Sequence, residues 1–69
     1  QKQVNAALMK SLTPRENELV QLLAEGYPYK EIADRLGLSI ETVRTYIRAI
    51  YNKLQVHSRT EALNKLYER

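Results

Sequence analysis

The chain has 69 residues, 11 lysines and arginines against 8 aspartates and glutamates, one histidine and no cysteine. That length is one small domain with a modest core, and the composition excludes disulfides, thiolate metal sites and a zinc site built on His57 alone. Packing between helices must hold it, with or without a dimer partner. No apolar run is long enough to cross a bilayer, so no membrane role is expected.

Residues 1–11, QKQVNAALMKS, read as a linker or N-terminal arm, with Val4, Ala7 and Leu8 able to form one helical turn. The domain proper is expected over 12–69. Thr13-Pro14-Arg15-Glu16 is a capping box with proline at the first helical position. Leu19, Leu22 and Leu23 recur at helical spacing beside Val20. Gly26 supplies the stop, which puts the first predicted helix at Pro14 to Glu25. Tyr27-Pro28 links to a second, Tyr29 to Leu36, with Ile32, Ala33 and Leu36 turned inward. Gly37 suits the left-handed turn that ends it.

Ser39 caps the third predicted helix. There Ile40, Val43, Ile47, Ile50 and Leu54 repeat at spacings of three and four residues, a buried stripe. Gln55-Val56-His57 is a connection. Ser58-Arg59-Thr60-Glu61 is a second capping box that opens a last helix, Arg59 to Glu68, with Ala62, Leu63, Leu66 and Tyr67 apolar. Nothing reads as a strand. The fold class is all-α, with the second and third helices forming a helix-turn-helix. Ala33 is small where those helices approach, Gly37 makes the turn and Val43 plugs the angle.

The charge is unevenly placed. Up to Tyr29, Lys2, Lys10 and Arg15 balance Glu16, Glu18 and Glu25. From Lys30 to Arg59, Lys30, Arg35, Arg44, Arg48, Lys53 and Arg59 face only Glu31, Asp34 and Glu41. Beyond that, Lys65 and Arg69 balance Glu61 and Glu68. The whole excess of +3 sits on the helix pair and its exit, the footprint of a phosphate-binding surface.

With its stripe buried, the third helix presents Arg44, Thr45, Arg48 and Asn52 on one exposed arc that Glu41 shares. Arginine can bridge guanine O6 and N7, threonine can offer its methyl to thymine, and asparagine can pair with adenine. Thr42, Tyr46 and Lys53 lie on the flank, where backbone contacts would fall. Ser39 and Thr42 put hydroxyls and free N–H groups at the helix start, where a phosphate could sit. The same arginines on an ordinary solvated helix would do no more than form surface pairs, such as Glu41 with Arg44. The helix-turn-helix frame favours DNA.

These residues resemble the LuxR/FixJ/NarL-type helix-turn-helix effector domain. The match runs through Leu12-Thr13-Pro14-Arg15-Glu16, Leu22-Leu23-Ala24-Glu25-Gly26 and Lys30-Glu31-Ile32-Ala33. It continues through Leu36, Leu38-Ser39, Thr42-Val43-Arg44-Thr45 and Lys53-Leu54 to Ser58-Arg59-Thr60-Glu61-Ala62, and covers about Leu12 to Leu66. The resemblance implies a four-helix domain of a bacterial transcription factor, usually C-terminal to a receiver or ligand-sensing domain. It implies double-stranded DNA as partner, base contacts at Arg44, Thr45 and Arg48, and phosphate contacts at Lys30, Thr42, Tyr46 and Lys53. It implies homodimers on DNA through the last helix, with Leu63, Leu66 and Tyr67 as dimer contacts. Three positions depart from the pattern. Pro28 stands where many members have serine or threonine, Tyr29 where asparagine is common, and Tyr46 where histidine is common.

Arg59 is read as a structural partner of Glu16 or Glu61 rather than a phosphate contact, and Tyr51 as lining the core edge. No nucleophile–histidine–acid set is present, so no enzyme is expected, and no cofactor or metal. A chain that opens on Gln1 is expected to be part of a longer protein, and cysteine-free composition fits the cytoplasm. Two rival readings are a small helical protein-interaction module and a sigma-factor-like module that binds promoter DNA together with RNA polymerase.

Overall fold

Side-chain oxygens that accept from the amide three residues on, at Asn5, Thr13, Ser39 and Ser58, set the N-terminal ends of four described helices. A computed structural model describes residues 3–68. In chain order these are β1 (Gln3–Val4), α1 (Ala6–Lys10), α2 (Pro14–Ala24), α3 (Tyr29–Leu36), α4 (Ile40–Leu54), α5 (Arg59–Leu66) and β2 (Tyr67–Glu68). The four expected helices are α2 to α5, and the architecture is all-helical apart from one two-residue ladder.

Thr13 closes α2 as a full capping box. Its hydroxyl accepts from the Glu16 amide at 3.2 Å and its own amide donates to Glu16 Oε1 at 2.9 Å. Pro28 precedes α3 and offers no side-chain cap, as its lack of a hydroxyl requires. Gly37 takes the left-handed conformation at φ 68° and ends α3. Ser39 caps α4 by accepting from the Thr42 amide at 3.1 Å. The second capping box is a variant: Ser58 accepts from the Glu61 amide, but Glu61 Oε1 accepts from the amide of His57, one residue before the cap.

The core is one cluster drawn from every predicted helix: Leu19, Val20 and Leu23 of α2, Ile32 and Ala33 of α3, Val43, Ile47, Ile50 and Leu54 of α4, and Ala62 and Leu66 of α5, closed by Leu12 and Val56. α4 touches α2, α3 and α5, so it is the helix around which the others are arranged. Its three-four stripe is the reason, since it supplies four buried side chains along one face.

Four expectations need correction. Ile40, the first residue of α4, is 37% exposed and is not part of the buried stripe. α5 stops at Leu66 rather than Glu68. Tyr67–Glu68 leaves the helix and pairs antiparallel with Gln3–Val4, Gln3 opposite Glu68 and Val4 opposite Tyr67. The Asn5 amide also donates to the Leu66 carbonyl at 2.6 Å, so a helix-end carbonyl finds its partner in the N-terminal segment. The helical turn there falls on Ala6–Lys10, capped by Asn5, and leaves Val4 in the ladder. Gln55 opens the expected connection after α4 and takes the left-handed conformation, φ 59°, without a glycine.

Candidate nucleic-acid interface

α4 carries the candidate site because burying Val43, Ile47, Ile50 and Leu54 forces residues three and four apart on the opposite side into solvent. Glu41, Arg44, Thr45, Arg48 and Asn52 are all exposed and share that side. Glu41 sits in the first turn and Lys53 in the last, which suits the helix dipole at both ends.

The side chains differ in how they are engaged. Arg44 Nη1 lies 3.5 Å from Glu41 Oε1, with both groups largely in solvent. The Thr45 hydroxyl donates to the Glu41 carbonyl at 3.1 Å, which turns its polar end back onto the helix. Arg48 forms no ion pair among the described residues. Thr42 is half-buried, and its hydroxyl lies 2.9 Å from that of Ser39. Because Ser39 already occupies the Thr42 amide, that N–H is not free for a phosphate as expected. Tyr46 is half-buried and packs against the core.

Lys53 has a partner within the fold. Its ammonium donates to Glu16 Oε1 at 2.8 Å and reaches the Ser11 carbonyl at 3.5 Å. Glu16 is 5% exposed, so this lysine neutralises a buried carboxylate. Burial works to raise the Glu16 carboxyl, but the hydrogen bond from Lys53 and the Thr13 amide outweigh it and hold the group below its ordinary value. A phosphate would have to compete with that pair for Lys53.

Lys30 stands apart from this face. It is exposed in the first turn of α3, beside a shallow surface depression it lines with Tyr27, Pro28, Glu31 and Asp34. Glu31 is engaged with Arg35 at 3.8 Å. Arg35 also lies over the Tyr27 ring, 4.0 Å from its centre, so Arg35 is held on α3, while Lys30 forms no ion pair among the described residues.

On α5, Leu66 is fully buried and cannot serve as a dimer contact. It faces the monomer's own core because it is one α-helical turn from Ala62, which is buried too. Leu63 and Tyr67 are half-buried and packed at the edge of that core. Burial, then Glu25, pushes the Tyr67 hydroxyl up. Arg59 pairs with neither Glu16 nor Glu61. It donates from Nη2 to the carbonyls of Leu23 and Tyr27, both at 2.8 Å. No local signal announces that contact. Tyr51 packs at the core edge as expected, and burial, then neighbouring Tyr29, pushes its hydroxyl up.

Residues 10–66 match the model of the bacterial regulatory proteins, luxR family. The chain is 48% identical over 58 residues to the transcriptional regulatory protein LiaR of Bacillus subtilis, covering 84% of this chain and 28% of that protein. It is 43% identical over 58 residues to the response regulator VraR of Staphylococcus aureus, with the same coverage. Among solved structures it is similar to the DNA-binding domain of the response regulator ComA, in complex with the anti-activator RapF. That likeness has a TM-score of 0.77 at 44% identity and covers 78% of this chain and 93% of that one. The chain thus spans 28% of the length of these two full-length relatives. With its matched helices, its helix-turn-helix and the exposed basic face of α4, the chain belongs to the luxR family of bacterial regulatory proteins.

Proposed function

We propose that the chain is the sequence-specific, double-stranded DNA-binding domain of a bacterial transcription regulator. It inserts α4 into the major groove. The observation that carries this is the exposed side of α4, where Arg44, Thr45 and Arg48 project together from a helix whose opposite face packs against α2, α3 and α5. A rigid helix presenting base-edge donors is what major-groove readout requires.

Arg44, Thr45 and Arg48 choose the sequence. With its hydroxyl engaged, Thr45 offers its methyl. Lys30, Thr42 and Tyr46 hold the phosphates, joined by Lys53 where a phosphate displaces Glu16. The domain works as a homodimer on paired half-sites, with Leu63 and Tyr67 on the contact surface. It acts in the cytoplasm downstream of a receiver or sensor domain.

The test is selection of bound duplexes from a randomised DNA pool at near-physiological salt. A recovered motif with two-fold related halves supports specific readout and dimeric binding together. Recovery of no motif, repeated with the chain fused to a dimeriser, would sink the reading. A second reading has one observation behind it: the ComA domain is held by a protein, RapF, in its solved complex. A protein partner that competes with DNA for this chain would show as displacement of the selected duplex.

A further inference from the structure

Glu41 is the one acidic residue on the exposed side of α4, and it stands in the first turn. The N-terminal residues of a recognition helix are those that reach base edges, so this carboxylate lies where DNA would meet it. A lone carboxylate there is repelled by the phosphates that wall the groove. It is not alone, however. Arg44 Nη1 lies 3.5 Å from Oε1, and the backbone of the same turn is fastened by the Thr45 hydroxyl on the Glu41 carbonyl at 3.1 Å.

Side by side, the two side chains present an acceptor next to a set of donors. The major-groove edge of a G·C pair presents the converse: the O6 and N7 acceptors of guanine beside the N4 amino donor of cytosine. Carboxylates accept from cytosine N4, while arginine donates to guanine. Arg44 both neutralises Glu41 and supplies the second half of that pattern.

We propose that Glu41 is a base-reading residue that accepts a hydrogen bond from a cytosine N4 amino group, with Arg44 donating to the guanine of the same base pair. This inference rests on the DNA-binding reading above. The bland alternative is a surface ion pair that does no more than steady the helix, and it predicts no change of base preference on substitution.

The experiment is selection from a randomised duplex pool with the parent chain, Glu41→Gln and Glu41→Asp, with circular dichroism melts to confirm that each is folded. The selected duplex and single-position variants of it are then titrated against each protein. The parent motif is expected to contain a G·C pair whose cytosine-for-adenine change costs about tenfold in affinity. Glutamine pairs with adenine N6 and N7, so Glu41→Gln should reverse that preference at one position and leave the rest of the motif unchanged. Glu41→Asp, which keeps the acceptor, should keep the preference for cytosine. An unchanged motif in Glu41→Gln overturns the proposal, even when all duplexes bind more tightly, because the carboxylate would then act on phosphates alone. If the parent itself recovers no motif, the DNA-binding reading fails first and this inference falls with it.

Discussion

Arg59 Nη2 donates to the Leu23 carbonyl at 2.8 Å and, with its second hydrogen, to the Tyr27 carbonyl at the same distance. The first residue of α5 thereby closes the C-terminal end of α2 and the turn that leads to Pro28. A cation at that end is also favoured by the helix dipole. Pro28 offers no side-chain cap to α3, and this guanidinium helps to steady the approach to the helix-turn-helix, together with the Tyr27 amide donating to the Leu22 carbonyl at 3.2 Å.

Arg59→Ala should therefore destabilise the fold. Two charge-assisted bonds at a half-buried site are worth about 2–3 kcal/mol together. Arg59→Lys should recover less than half of that, because an ammonium does not reproduce the planar fork. Urea unfolding followed by circular dichroism measures both. Midpoints equal to the parent's would dismiss the role.

The Glu16–Lys53 pair should show in the pH dependence of stability. The folded carboxyl sits below its ordinary value, so the unfolded chain takes up its proton first as acid is added. The stabilisation is thus complete above about pH 4.3 and is lost as the pH falls through the folded value. Glu16→Gln should cost about 1–2 kcal/mol at neutral pH. The gap in melting temperature between parent and variant should narrow as the pH falls below the ordinary carboxyl value of about 4.3. A gap that is the same at both ends would mean that the lost stability comes from packing, not from charge.

Lys30 and Arg48 should separate in DNA binding. Lys30→Ala removes a phosphate contact, so it should weaken all duplexes alike and lower the salt slope by about one. Arg48→Ala should relax the preference at one base position by about 1–3 kcal/mol. Titrations of matched and mismatched duplexes at several salt concentrations distinguish them. The same uniform loss in both variants would undo the division of labour.

Leu63 and Leu66 should separate in the monomer. Leu66 is fully buried, so Leu66→Ala leaves a cavity and should cost about 2–5 kcal/mol. Leu63 is only half-buried, and Leu63→Ala should cost less in stability and more in self-association on DNA. Denaturant melts and sedimentation on the selected duplex read the two effects. If Leu63→Ala leaves association unchanged, the dimer surface lies elsewhere.

What was legible in the chain is what depends on near neighbours. Thr13 with Glu16 and Ser39 with Thr42 are contacts within one helical turn, so residue type and spacing specify them. Gly37 ends α3 because glycine tolerates positive φ. The three-four stripe places Val43, Ile47, Ile50 and Leu54 inside, and with them Arg44, Thr45 and Arg48 outside. The helices, the turn and the exposed side of α4 follow from such local rules.

The tertiary structure decided what depends on distance across the chain. Arg59 meets Leu23, and Lys53 meets Glu16, across 36 and 37 positions. Val4 meets Tyr67 only because the two ends of the chain are brought together. Leu63 and Leu66 look alike in the sequence, yet one is fully buried and the other half-exposed. Ile40 fits the stripe but is exposed at the start of α4. Gln55 takes a left-handed turn that no glycine announces. Spacing says which face of a helix is apolar, but only packing says how far along that face a partner extends and which distant polar group arrives at its end.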